Sequence, residues 1–347
     1  MWNRREWARV SAMAWLGGTW TSARSQVDRS SRSTQALLMG VDHKASFCYL
    51  PLTIAERLGY FQAEGLSLQI REFASPSLAA QALVGGAVQV LSGTYSTNIV
   101  LDRLGHSLQS LVLQGLAPQI VMGIARSEGS RFRNLRELRG QRIGVAQLGS
   151  STHRIARLVL AKGRLGEGDV TFRELPAPAD ALEAFRSGEI SVLCYSDPII
   201  TQLEQAGEIK ILVDTRTQRG SAELFGGTFP AGCLSAKQDW IAGHPDESQA
   251  LANAMVKALK WLQTAGPSDL INVVPEAYFG GDRALYLAAF SRSREAWSPD
   301  GVMPDESPGV AAKMLARLNT TPPMSDQDLS NTFTNRFALK AKARLRA

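Results

Sequence analysis

The sequence predicts an α/β protein built as two lobes. Short apolar runs alternate with amphipathic stretches from residue 36 onward, the alternation falls into two successive series, and 347 residues suffice for two cores of ordinary size. The composition, 44% hydrophobic and 20% charged, excludes a disordered chain, and 30 Gly with 15 Pro excludes a repetitive fibre.

In the first series, strands are expected at 36–42, 66–73, 88–92 and 108–114. Helices lie between them at 51–61, with Ile54, Leu58 and Phe61 on one face, and at 77–84 and 95–104. The second series has strands at 142–146, 171–175, 192–195 and 210–214, with helices at 152–162, 179–187 and 199–206. Strands alternating with helices of this length indicate βαβ units around mostly parallel sheets. Gly220, Gly226, Gly227 and Pro230 break the pattern, so 216–231 reads as a crossing loop. The remainder reads as mainly helical. Its clearest helix spans 245–265: Leu251, Met255, Leu259 and Leu262 share a face, Pro245 with Asp246 and Glu247 opens it, and Gly266-Pro267 closes it. There is no internal repeat, heptad run or low-complexity segment. Residues 36–118 with 222–347 are expected to form one lobe and 119–221 the other.

The formal net charge of +6 is concentrated at the ends. Residues 1–35 hold six arginines (Arg4, Arg5, Arg9, Arg24, Arg29, Arg32) against Glu6 and Asp28. Residues 331–347 hold Arg336, Lys340, Lys342, Arg344 and Arg346 with no acid, and read as a solvated helix end. The body, 36–330, keeps 27 basic and 30 acidic residues, a net −3. An acidic body without interleaved aromatic and basic residues argues against nucleic acid as a partner.

At the N-terminus, paired Arg4 and Arg5 lead into a short apolar run, Val10 to Trp20, followed by the small residues Thr21, Ser22 and Ala23. This is the three-part layout of a secretory signal covering about residues 1–23, with a basic linker to 35; the competing reading is a plain basic tail. The arginine pair followed by Glu6 and Trp7 resembles a twin-arginine signal, with Asn3 where Ser or Thr is usual. The apolar run falls far short of the roughly 20 residues that span a bilayer. The mature chain is expected outside the cytoplasm. Cys48, Cys194 and Cys233 are far apart and in apolar contexts, and are expected as free thiols.

Catalytic signatures are missing: there is no H-E-x-x-H, G-x-S-x-G, Walker A loop or dinucleotide G-x-G-x-x-G. His43, His106, His153 and His244 lack metal-ligand spacing. No enzyme activity, cofactor or metal is expected. Binding signals are better placed. Gln147–Ser151 lies between a strand and a helix that opens at Ser151-Thr152-His153, where free N–H groups and the helix dipole attract an anion. The alternative is that Ser150 or Ser151 only caps that helix. Ser92-Gly93-Thr94-Tyr95-Ser96 makes a similar strand-to-helix transition. In open α/β sheets ligands bind at strand carboxyl ends, where both loops fall. Phe47 and Tyr49, after the first strand, either wall a pocket or pack under the first helix. Asp197, at another strand end, either orients a ligand amine or hydroxyl or caps the helix after Pro198.

The order of these pieces resembles the nitrate/sulfonate/taurine (NitT/TauT) group of periplasmic substrate-binding proteins that serve ABC importers. AERLGYFQAEGL at 55–66 is similar to the group's first helix and the turn after it, and LRELRGQRIGVA at 135–146 to its entry into the second lobe. GSSTH at 149–153 resembles the anion-binding helix start of sulfonate and taurine binders. The stretch PAPADALEAFRSGEISVLCYSDP from Pro176 and KALKW at 257–261 continue the match, which spans roughly 36–320. Gln89 and Ser191 depart from the group where Asp is common, and Tyr195-Ser196-Asp197-Pro198 replaces the Trp-Asp-Pro of sulfonate binders. The resemblance implies a type II periplasmic-binding-protein fold: two α/β lobes around a ligand cleft, joined by two crossing hinge strands near 115–122 and 215–230. It implies capture of a small, sulfonate- or nitrate-like anion by hinge closure, with an ABC permease and ATPase as partners, in a periplasmic monomer. Phe47, Tyr49, Thr94, Ser150, Ser151, Thr152, His153 and Asp197 carry over as ligand-binding candidates. No Arg clamp is visible, so neutral donors and the helix dipole are expected to meet the anion. Two other roles compete: a thiamine-pyrimidine-related binder or enzyme on the same fold, and a solute sensor that docks on a membrane receptor.

Overall fold

Ten strands of the described residues gather into two five-stranded sheets. The structure, a computed structural model, describes residues 36–129 and 132–347; the expected export signal and basic linker at 1–35 lie outside the described residues. In chain order the strands are β1 Leu37–Asp42, β2 Leu68–Phe73, β3 Val90–Thr94, β4 Leu108–Leu113, β5 Ile120–Ala125, β6 Arg142–Val145, β7 Thr171–Glu174, β8 Val192–Ser196, β9 Ile209–Asp214 and β10 Gly232–Lys237.

The two sheets have one plan. The first runs β2-β1-β3-β10-β4, with β1 parallel to β2 and β3, and β10 antiparallel to β3 and β4. The second runs β7-β6-β8-β5-β9, with β6 parallel to β7 and β8, and β5 antiparallel to β8 and β9. The antiparallel strand in each sheet is the one that follows a crossing from the other. Both crossings run side by side: Ala231 N donates to Gly115 O (2.9 Å) at the first sheet, and Thr215 N to Ile120 O (3.0 Å) at the second.

Several sequence expectations need correction. The helix expected at 51–61 is two, Leu50–Arg57 and Tyr60–Ala63, broken where Gly59 takes φ +68°. The segment 216–231 is not all loop: Thr217 caps a helix, Gln218–Phe225, by accepting from Gly220 N at 3.0 Å. The first crossing ends sooner than expected, because Ile120 already belongs to β5. β10 was not expected, since its small residues are buried on both faces and show no period-2 alternation. The C-terminal residues are not a solvated end. Helix Arg336–Leu345 buries Phe337, Ala338 and Ala341 against helix Pro245–Thr264. Two of its cations are paired too, Lys342 with Asp300 at 2.7 Å and Arg344 with Glu64.

Leu251, Met255, Leu259 and Leu262 of helix Pro245–Thr264 are fully buried in the core of the first sheet, with Met39, Val41, Leu52 and Ile54. A second apolar cluster joins the sheets, running from Tyr95, Ile99 and Leu113 through Ile143 and Ile155 to Met303 and Leu315. Cys48, Cys194 and Cys233 are free thiols. Burial lifts the Cys48 and Cys233 thiols to about 12 and about 11, which makes both unreactive. No helix among the described residues is long and apolar enough to cross a membrane.

Candidate ligand cleft between the two sheets

A cavity of about 30 Å³ opens where carboxyl ends of the two sheets face each other. Pro76, Ser77 and Thr94 line it from the first sheet; Gln147, Leu148, Gly149, Ser150, Ser151 and Arg154 line it from the second. The first turns of three helices therefore meet there. Pro76 and Ser77 open helix Pro76–Val84, Thr94 precedes helix Tyr95–Arg103, and Ser150 and Ser151 open helix Ser151–Lys162. Each presents the positive end of its dipole, although Leu78 N is taken by Ser75 Oγ at 3.3 Å, Tyr95 N by Ala231 O at 2.8 Å and His153 N by Ser150 Oγ at 3.4 Å. A wider hollow, about 390 Å³, lies around the stacked Trp240 and His244 near Val88 and Lys237, at the opposite ends of β3 and β10.

Of the expected site residues, Thr94, Ser150 and Ser151 line the cavity. Thr94 Oγ1 shares a hydrogen bond with Thr97 Oγ1 at 3.1 Å. Ser150 caps its helix, accepting from His153 N at 3.4 Å and donating to Gln147 O at 2.6 Å, so the capping reading of that serine holds. Gly149, at φ +79°, makes the sharp turn before it, a conformation that side chains disfavour.

The other five are committed elsewhere and do not line the cavity. Phe47 is 3% exposed, stacks on Tyr286 with ring centres 4.6 Å apart, and its carbonyl accepts from Trp297 Nε1. Tyr49 is buried and its hydroxyl donates to Asp42; burial and then the Asp42 charge raise that phenol well above its ordinary value. Thr152 turns inward, its Oγ1 accepting from Ala146 N at 3.0 Å. His153 accepts from Gly149 N at 3.0 Å through Nδ1, and burial holds its imidazole below the ordinary value despite Glu167. Asp197, followed by a cis bond to Pro198, caps the next helix through Thr201 N (2.9 Å) and faces Arg216 Nη1 at 3.4 Å. Burial raises its carboxyl, against the pull of Arg216.

The expectation that the cleft has no arginine is corrected by Arg154. Its half-buried side chain lines the cavity and has no hydrogen bond or ion pair with any described residue. Burial, and then neighbouring Arg157, lower its affinity for its proton, although it stays charged. From the sequence alone, an arginine three residues into a helix reads as solvated. Ser77 was also missed, although Ser75-Pro76 is a recognisable helix start. Among the described residues no cluster of His, Cys, Asp or Glu is built to hold a metal.

The profile of the NMT1-like family matches residues 44–272. A solved structure from Bordetella bronchiseptica RB50 is 39% identical, has a TM-score of 0.81, and covers 90% of this chain and 98% of its own. The chain belongs to the NMT1-like family. This NMT1-like chain also superposes on more distant solved structures. The periplasmic aliphatic sulphonate binding protein SsuA of Escherichia coli is 16% identical with a TM-score of 0.67, over 88% of this chain and 100% of SsuA. The periplasmic nitrate-binding protein NrtA of Synechocystis PCC 6803 is 13% identical with a TM-score of 0.68, over 89% of each chain. At such identities the likeness shows the fold alone, and it is the type II periplasmic-binding-protein fold that the strand orders describe.

Proposed function

We propose that this NMT1-like chain is the solute-binding protein of an ABC importer, exported through the signal at about residues 1–23. It captures a small anion between its lobes by hinge closure and delivers it to a membrane permease. The observation that carries the reading is Arg154: an unpaired guanidinium, among the described residues, beside a cavity edged by three helix starts. An anion there meets one formal charge and the positive ends of three helix dipoles, and is released when the lobes part. Sulfonates and nitrate fit that donor set, and the match to sulphonate- and nitrate-binding folds supports the same class.

A thermal-shift screen of the purified protein against alkanesulfonates, taurine, nitrate, aromatic carboxylates and pyrimidines tests this. A ligand at 100 times its Kd stabilises by about 2.7 kcal/mol, which moves the melting point by several degrees. Arg154→Gln is expected to weaken the bound anion at least about tenfold, with Ser151→Ala a smaller loss. Stabilisation by pyrimidines alone, or an anion whose affinity ignores Arg154→Gln, sinks the reading.

A further inference from the structure

The turn that edges the cavity is held from behind by a titratable group. Gly149 N donates to His153 Nδ1 at 3.0 Å, so the proton of the neutral ring sits on Nε2. His153 is 6% exposed, and Phe172 meets its ring edge-on with centres 4.6 Å apart. Its Nε2 has no hydrogen-bond partner among the described residues and lies 3.6 Å from Glu167 Oε2. We propose that His153 is a positioning residue for the cleft: its neutral imidazole holds the Gln147–Ser151 turn in the geometry that receives the anion, and protonation releases that turn and weakens binding. This rests on the cleft reading above.

Protonation places an N–H on Nδ1. Two donors then face each other across 3.0 Å, and the Gly149 amide must turn away. Nothing else pins that amide: Leu148 N is held by Glu174 at 2.7 Å and Ser150 Oγ by Gln147 O, one residue to either side. The added charge also attracts an anion, so the sign depends on its surroundings. Glu167, from the turn Glu167–Asp169, and Glu174, from β7, face the ring as acids; Arg154 and Arg157 face it from its own helix. Glu167, already 3.6 Å away, takes up the new charge, whereas the lost amide contact has no substitute. Affinity therefore falls with acid.

The pH range follows from burial, which holds His153 below its ordinary 6.5, with the two arginines adding to it. A histidine kept neutral in the fold adds stability that is full above the unfolded value of 6.5. It is lost as pH falls from there through the lower folded value. The turn is thus set at neutral pH and loosens in acid.

Nitrogen-15 NMR of the full, ligand-free chain, from pH 8 down through the His153 titration, is the first test. The Gly149 amide should move with the His153 titration and lose protection from exchange about fivefold to tenfold, the factor one hydrogen bond carries. In His153→Asn, whose Oδ1 replaces Nδ1 as acceptor without titrating, both should stay flat. Calorimetry with nitrate and ethanesulfonate should give affinities that weaken in step with the His153 titration, by a similar factor once the ring is protonated, and nearly level ones for His153→Asn. The proposal is overturned by a Gly149 amide that ignores the His153 titration, by a pH profile that survives in the variant, or by tighter anion binding in acid. The wild-type amide titration decides the matter even if His153→Asn does not fold. If that amide titrates while neither anion binds at pH 8, the hold of His153 on the turn stands and it is the cleft reading that fails.

Discussion

Arg154 and Arg216 are two arginines with opposite fates, and the contrast separates binding from structure. Arg154 is unpaired among the described residues and faces a cavity. Arg216 is 2% exposed and saturated: Nη2 donates to Asp214 at 2.6 Å, Nη1 to Glu204 at 2.8 Å, and Nη1 faces Asp197 at 3.4 Å. Burial works against its charge, but the bonds to Asp214 and Glu204 outweigh it and hold the proton more firmly than usual. Arg216→Met would leave the buried Asp197 charge unmatched, which costs about 3–5 kcal/mol. Asp197 already has a raised carboxyl, so its charged form is the disfavoured one in the fold, and losing Arg216 raises the carboxyl further. Stability lost this way is recovered where the carboxyl protonates, so the deficit should be largest at pH 7 and shrink toward pH 4. Urea unfolding at both pH values checks this; an equal deficit at both would mean that packing, not charge, is what the variant removes.

Among elements, those with their own period were legible and those held by distant partners were not. Helix Pro245–Thr264 carries its apolar stripe, its opening proline and its acidic first turn in one stretch of sequence, and forms as read. β10 carries nothing local: Gly232, Cys233, Ser235 and Ala236 become a strand because β3 and β4 lie on either side. The cleft divides the same way. Its helix start at Ser150 was readable from the cap, whereas Arg154 needed the fold to show that no acid among the described residues reaches it. Asp197 looked like a cap or a ligand contact because its partner Arg216 lies 19 residues further on. The C-terminal helix was misread for the same reason, since five cations in a tail suggest solvent until Asp300 and Glu64 are placed beside it. Its anchor is Phe337, 3% exposed, so Phe337→Ala should cost about 3 kcal/mol in chemical unfolding. Arg344→Ala, at the exposed pair with Glu64, should change stability by less than about 1 kcal/mol. A reversed order of the two effects would show that charge, not packing, docks the helix.

At the scale of the whole molecule, the proposed binding role requires the lobes to open, so under that proposal the bonds between them matter more than their number suggests. Besides the crossings, several side chains among the described residues tie the lobes together, among them Gln218, whose Nε2 donates to Glu295 O at 3.0 Å, Arg157 and Arg292. Arg157 Nη2, on the helix that starts at the cleft, donates to Leu318 O at 3.0 Å. Arg292, on helix Arg283–Ser293 of the first core, pairs at 2.5 Å with Glu204, on helix Ile199–Gln205 of the second. In the Arg292 tie Glu204 also holds Arg216 beside the crossing, which links the surface contact to the buried Arg216 network. Arg292 is 42% exposed at its side chain, so Arg292→Ala should alter global stability by less than about 1 kcal/mol. The same small energy acts fully on the balance between closed and open lobes, where a shift of 1.4 kcal/mol changes the ratio tenfold. The variant should therefore scatter X-rays as a more extended particle without ligand, and bind its anion a few-fold more weakly, with an unchanged urea midpoint. Unchanged scattering together with unchanged affinity would locate control of opening in the crossings alone.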